Sequence, residues 1–191
     1  MAELFPDARS YLDVYARHGL IGPRSVLAHG VWFDDADRAL LGREGAQIAH
    51  CPSSNLFLGS GLADWRALEY AGAAVSLASD VGGGTSLSML RTMADAYKVQ
   101  ALRGVRLPAW KALYAATRGA ATALGLGHEI GSFDLGNAAD CVAWQVAVGP
   151  VATARDAVAS SLHDRIFAWM TLGDERNVVA TYVAGRCLVG T

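Results

Sequence analysis

Apolar residues along the chain fall into short runs that stop at a histidine or an aspartate, and between those runs the spacing becomes helical. Ser25 to Ala28 (SVLA) reads as a strand ending at His29, Ala46 to Ala49 as a second ending at His50, and Ala73 to Ser79 (AAVSLAS) as a third ending at Asp80. A helix from Ser10 to His18, closed by Gly19, precedes them. Asp34 to Arg43 is helical with Asp34 or Asp35 as N-cap, and Leu62 to Ala71 is helical and closed by Gly72. The glycine run Gly82 to Gly84 leads into a long helix from Ser86 to Arg103. This βαβαβα order predicts parallel strands joined by crossover helices, an α/β fold. In a (β/α)8 barrel the active site lies at the C-terminal strand ends. Neighbouring strands run about 4.8 Å apart, so residues on consecutive ends can meet on one small ligand.

The remainder changes character. Pro108 to Leu124 reads as one or two helices, with Pro108 near the first helical position. Gly131 to Trp144 (GSFDLGNAADCVAW) carries paired glycines, Asp140 and then an apolar strand. Arg155 to Trp169 reads as a helix or a mixed segment, and Val178 to Val189 (VVATYVAGRCLV) as a hairpin turned at Ala184-Gly185. The tail is therefore expected to be a β-rich satellite rather than another βα unit. One stretch stands apart. AHCPSSNLFLGSG, residues 49–61, carries a strand into an elaborate turn that packing alone rarely requires.

Composition sharpens this picture. Hydrophobic residues make up 52% of the 191 and mean hydropathy is +0.24, high values that strands buried on both faces account for. The length suits about one domain, or one and a half. No uninterrupted apolar run reaches the ~18 residues of a membrane span, and nothing at the start resembles a signal peptide. A net charge of −2 points to neither a nucleic-acid nor a membrane partner. Cys51, Cys141 and Cys187 lie far apart without a C-x-x-C, the usage of reduced thiols in a cytoplasmic protein.

Among the chemistry-bearing residues, Asp80 leads. A carboxylate at the end of an apolar strand, before Val81 and three glycines, serves either as a helix cap or turn former or as a metal ligand that also takes a proton from metal-bound water. The glycines would let backbone approach a substrate closely. His29 could be a hydrogen-bonded core residue; in the functional alternative it orients the attacking water or polarises the substrate. His50, one step from Cys51-Pro52, is the weaker candidate. Cys51 has no base at a spacing that would make it a nucleophile and reads as a small buried filler. His18, His128 and His163 read as surface or helix-end residues. Gly82 to Gly84 lacks the form of a phosphate loop.

AHCPSSNLFLGSG and ASDVGGGTSLSMLRTMADAYKVQ (Ala78 to Gln100) resemble the guanine deaminases of the amidohydrolase superfamily, and SVLAHG, MTLGDERNV and GSFDLGNAADCVAW fit the same family. The pairing of SNLFLGSG with SDVGGGTS separates it from most other amidohydrolases. The resemblance implies a (β/α)8 TIM-type barrel with a small β-sandwich, one zinc or iron ion, a homodimer, and hydrolysis of guanine to xanthine and ammonia. It matches His29 to the histidine that ends the sixth barrel strand beside substrate and metal-bound water. It matches Asp80 to the metal-binding, proton-shuttling aspartate that ends the eighth. Cys51 to Gly61 corresponds to the turn after the seventh strand, where it would face a planar purine.

The family pattern also requires a His-x-His pair, a further metal-binding His, and a Glu three residues after a His. None of the five histidines forms either spacing. The family's guanine-gripping Arg and Gln also precede the matched region. The expectation is therefore the C-terminal half of such a barrel with part of the sandwich: residues 1–128 as βα units with the helices that follow, and 129–191 as the satellite. Such a piece would be inactive alone. Two alternatives stand beside it: an amidohydrolase that deaminates another heterocycle, and a non-catalytic half-barrel that self-associates through unpaired sheet edges.

Overall fold

The computed structural model describes residues 3–190. It opens with α1 (Tyr11–Arg17), β1 (Val26–Ala28), α2 (Asp35–Glu44), β2 (Gln47–His50), α3 (Pro52–Phe57), α4 (Trp65–Tyr70) and β3 (Ala74–Leu77). Next come α5 (Met89–Leu102), α6 (Ala109–Ala116), α7 (Arg118–Ala123), β4 (Cys141–Trp144), α8 (Pro150–Ala157), α9 (Leu162–Leu172), β5 (Val178–Val183) and β6 (Arg186–Gly190). The first three strands form a parallel sheet in the order β1-β2-β3, and the last three an antiparallel sheet in the order β4-β5-β6. Among the described residues no helix is long and apolar enough to cross a membrane.

Short polar side chains start the helices between the parallel strands. The carboxylate of Asp34 accepts from the Asp37 N–H at 2.8 Å, that of Asp64 from the Ala67 N–H at 2.9 Å, and the Ser10 hydroxyl from the Asp13 N–H at 3.1 Å. Each satisfies a donor that the first helical turn leaves without a partner. Glycine closes α2: Gly45, at φ 68°, takes the left-handed conformation that ends a helix without a Cβ penalty.

Strand pairing sets Leu27 beside Ile48 and Ile48 beside Val75. Side chains alternate across a sheet, so these three share a face, and they pack with Leu12, Leu41 and Leu68 from α1, α2 and α4. Full burial of each such side chain contributes about 1.5–3 kcal/mol. A second cluster joins Leu77 to Met93 of α5, Ala112 of α6 and Trp169 of α9. It ties the parallel sheet to the helices on which the antiparallel sheet rests. Trp144 of β4 meets Trp169 edge to face at 5.2 Å. The other face of the parallel sheet carries Val26, 46% exposed, together with Ala28 and Ala74.

The hairpin turns at Ala184-Gly185 as expected. Both residues have positive φ, 48° and 76°, which suits the right-handed twist of the flanking strands. Two segments differ from the sequence reading, and two others settle alternatives it left open, 108–124 as one helix or two and 155–169 as a helix or a mixed segment. The expected turn after His50 is helical over Pro52–Phe57, because Pro52 occupies the first helical position, where its missing N–H is not needed. The helix expected from Leu62 begins at Trp65, after its Asp64 cap. Residues 108–124 break at Thr117, whose φ of −132° and ψ of −102° are not helical. The mixed segment 155–169 is parts of two helices, because the Ser161 hydroxyl accepts from the Asp164 N–H at 3.1 Å and caps a new start.

Helices α2 and α4 approach unusually closely at Gly42, where a Cβ would stand 1.8 Å from the Ala71 carbonyl oxygen. Alanine normally improves a helix interior by about 1 kcal/mol over glycine. Here the backbone contact reverses the sign, and Gly42→Ala should lower stability by at least about 2 kcal/mol. A urea titration reads this directly; an unchanged or raised midpoint would contradict the contact.

Candidate functional site

The ends of β1, β2 and β3 deliver His29, Cys51 and Asp80 to one place. His29 extends the ladder by one bond, its N–H donating to the Ala49 carbonyl at 2.9 Å. The chain then turns left-handed, with φ of 72° at His29 and 67° at Gly30. Asp80, three residues beyond β3, has φ of 50°. Positive φ is uncommon for residues with a Cβ and carries a conformational cost, one that recurs at functional sites. These two bends bring His29 Nε2 within 3.8 Å of Asp80 Oδ2, with about two-fifths of each side chain exposed. The pair is therefore open to a ligand, and its two members face each other.

Cys51 completes the cluster. One ligand atom each from His29, Cys51 and Asp80 lies within 4.8 Å of the others. This nitrogen, sulfur and oxygen set is of the kind that binds a transition metal. The sequence reading of Cys51 as a buried filler holds for its burial, but its position beside the pair could not be read from spacing. Burial pushes the Cys51 thiol pKa up, and the charge of Asp80 adds to the rise. The thiol donates to the Ala49 carbonyl at 3.2 Å. As a protonated, enclosed thiol it is a poor nucleophile.

Helix α3 brings a residue that the sequence reading missed. Asn55 is 2% exposed, and its Oδ1 lies 2.9 Å from His29 Nδ1. Its neighbour Ser53 donates to Asp95 Oδ2 at 2.7 Å. Ser53, Ser54 and Asn55 are all buried, and Ser54 Oγ and Asn55 Nδ2 have no hydrogen-bond partner among the described residues; the sequence offers no signal for this burial. Beyond α3, Phe57 and Leu58 are exposed.

The glycine run does two different things. A Cβ on Gly84 would stand 1.8 Å from the Ser79 carbonyl oxygen, and one on Gly83 would stand 2.6 Å from Ser54 Oγ and 3.3 Å from Asp80 Oδ2. Those two glycines let the Asp80 loop fold tightly on itself and onto α3. Gly82 alone faces open space, so only there is the backbone free to approach a ligand.

His50 lies elsewhere. It shares a sheet face with Ile48 and meets the Trp65 ring edge to face at 5.8 Å, under α4. Both ring nitrogens are buried without a protein partner among the described residues. Burial, and secondarily the charge of His29, lowers its pKa to about 4. His18, His128 and His163 are exposed, as expected.

A family model described as the amidohydrolase family matches residues 2–188. The chain is 43% identical to guanine deaminase of Escherichia coli over 183 residues, covering 96% of this chain and 42% of that protein. It is 40% identical to a probable guanine deaminase of Deinococcus radiodurans over 185 residues, covering 95% of this chain and 42% of that one. A solved structure of E. coli guanine deaminase superimposes with a TM-score of 0.96 at 41% identity, over 100% of this chain and 45% of that chain. The chain thus spans less than half the length of these relatives.

The His50 environment sets a pH dependence. Between about pH 6.5 and 4 the unfolded chain binds a proton at this position that the folded chain does not. Stability therefore falls as pH drops through that window, by roughly 3 kcal/mol in all. His50→Leu should remove this component. Urea titrations from pH 7 to 4 on both proteins measure it, and parallel pH profiles would contradict the assignment.

Proposed function

Because the chain belongs to the amidohydrolase family, we propose that it supplies part of the active site of a guanine deaminase, which hydrolyses guanine to xanthine and ammonia. The observation that carries this reading is the facing pair of His29 and Asp80, 3.8 Å apart at two strand ends. Similarity to guanine deaminases over almost the whole chain supports it. In this reading β1, β2 and β3 are the last three strands of a (β/α)8 barrel. Residues 1–128 hold its βα units and following helices, and 129–191 form part of a β-sandwich. The intact enzyme works as a homodimer.

The site suits zinc or iron, with Asp80 as the ligand this chain contributes and His29 within reach; Cys51, held as a thiol, lines the site without serving as a ligand. When bound, such an ion activates water as a nucleophile near neutral pH. The chain's own residues do the rest. Asp80 accepts the proton of the attacking water, and His29 orients that water and steadies the tetrahedral carbon that forms where the amino group is attached. The exposed Leu58, beside Gly83 of the Asp80 loop, offers apolar surface against which a planar purine can lie. Asp80 passes that proton to the amino group, the carbon–nitrogen bond breaks, and the group leaves as ammonia. The His-x-His pair and the His-x-x-Glu that would complete such a site are not among the 191 residues.

Two outcomes follow. The purified chain with zinc or iron should form no xanthine from guanine. Joined to the N-terminal part of the E. coli relative in place of the matching segment, it should deaminate guanine but not adenine or cytosine. Asp80→Asn should then lower kcat about 10²–10⁴-fold. A folded, metal-loaded chimaera that leaves guanine untouched would overturn the proposal.

A further inference from the structure

Asn55 and His29 are 26 positions apart, yet their side chains meet at 2.9 Å on the ring that faces Asp80. An amide oxygen can only accept a hydrogen bond. Asn55 Oδ1 stands 2.9 Å from His29 Nδ1, a contact that is a hydrogen bond when the ring carries its proton on Nδ1. A neutral imidazole has one N–H, so Nε2 is then a bare lone pair. That lone pair faces Asp80 Oδ2 at 3.8 Å, and an ionised carboxylate is also acceptor-only. Two acceptors therefore confront each other across the gap. They repel unless a cation, or a molecule that donates protons to both, stands between them.

The opposite tautomer would behave differently. A proton on Nε2 would let His29 donate straight to Asp80, and the two side chains could close on each other and exclude a third party. From this contrast we infer that Asn55 is a positioning residue: it holds the His29 proton on Nδ1, so that His29 meets a water or a substrate N–H as an acceptor and the gap to Asp80 stays open. This rests on the reading of His29 and Asp80 as the reactive pair. It also chooses between the two roles open to His29, favouring orientation of the water over donation to the purine. The enclosure of Asn55 fits the task, because the amide is 2% exposed and water cannot readily replace it as the ring's partner.

The test reads the proton directly and needs no turnover. Long-range ¹H–¹⁵N correlation spectra of the ¹⁵N-labelled chain, above the pH at which the ring is neutral, distinguish a protonated from a bare nitrogen. The His29 signals are assigned by their loss in His29→Asn. The expected result is a protonated Nδ1 and a bare Nε2 in the wild type, and the same pattern in Asn55→Asp, which keeps an acceptor oxygen. Asn55→Leu should shift the ring toward the Nε2–H form that free imidazole prefers in water. A wild-type ring protonated at Nε2, or an Asn55→Leu ring still protonated at Nδ1, would overturn the inference. If Asn55→Leu does not fold, the wild-type and Asn55→Asp spectra decide. Failure here would leave the deaminase reading to stand or fall on xanthine formation by the chimaera.

Discussion

Three parallel strands paired residue for residue, Val26 with Gln47 and Gln47 with Ala74, end at nearly the same height. The chain leaving each strand then has to turn back toward a helix, at once after β2 and through a longer loop between Leu77 and Met89. Parallel strands cannot be joined by tight hairpins, so each exit becomes a loop on the same edge of the sheet. Level register is what makes those exits neighbours. A slip of one residue would move His29 and Asp80 apart along the strands and turn Ile48 from the helix-covered face to the other. The apolar packing of Leu27, Ile48 and Val75 fixes the register, and the chemistry at the strand ends inherits its geometry from that packing.

In and beside the cluster, burial sorts four groups into different settings. His29 and Asp80 are open to solvent, which lets them meet a ligand. Cys51, a few ångströms away, is enclosed and stays a thiol. His50, adjacent to Cys51 in sequence, points into the helix layer and stays neutral through ordinary pH. The backbone is the physical cause: His29 and His50 stand level on neighbouring strands, but His29 turns left-handed at φ 72° and leaves the sheet while His50 remains in strand geometry. One imidazole faces the loops while the other is walled in by Trp65.

Much of the α/β organisation was legible, because apolar runs such as SVLA and AAVSLAS are bounded by residues that end strands. The two residues singled out for chemistry, His29 and Asp80, do meet, although sequence order alone places them 51 positions apart. What was not legible depends on partners distant in sequence. Pro52 to Asn55 reads locally as a turn, since serine and asparagine favour turns over helix. It is helical because Ser53 finds Asp95 and Asn55 finds His29. Cys51 gives no hint of its neighbours, because strand spacing, not sequence spacing, brings it to Asp80. The break at Ser161 was visible in principle as a serine three residues before Asp164, but the helical spacing on both sides masked it.

The face of the parallel sheet opposite Ile48 is only partly covered: Gln47 is buried and donates to the Ala123 carbonyl at 2.8 Å, but its neighbours are not. All-parallel sheets are ordinarily sheltered on both faces, whereas here Val26, Ala28 and Ala74 look outward from that face. β1 and β3, the outer strands of that sheet, each pair on one side only among the described residues. Such a surface governs colloidal behaviour: crowding brings bare backbone and apolar side chains of separate molecules together.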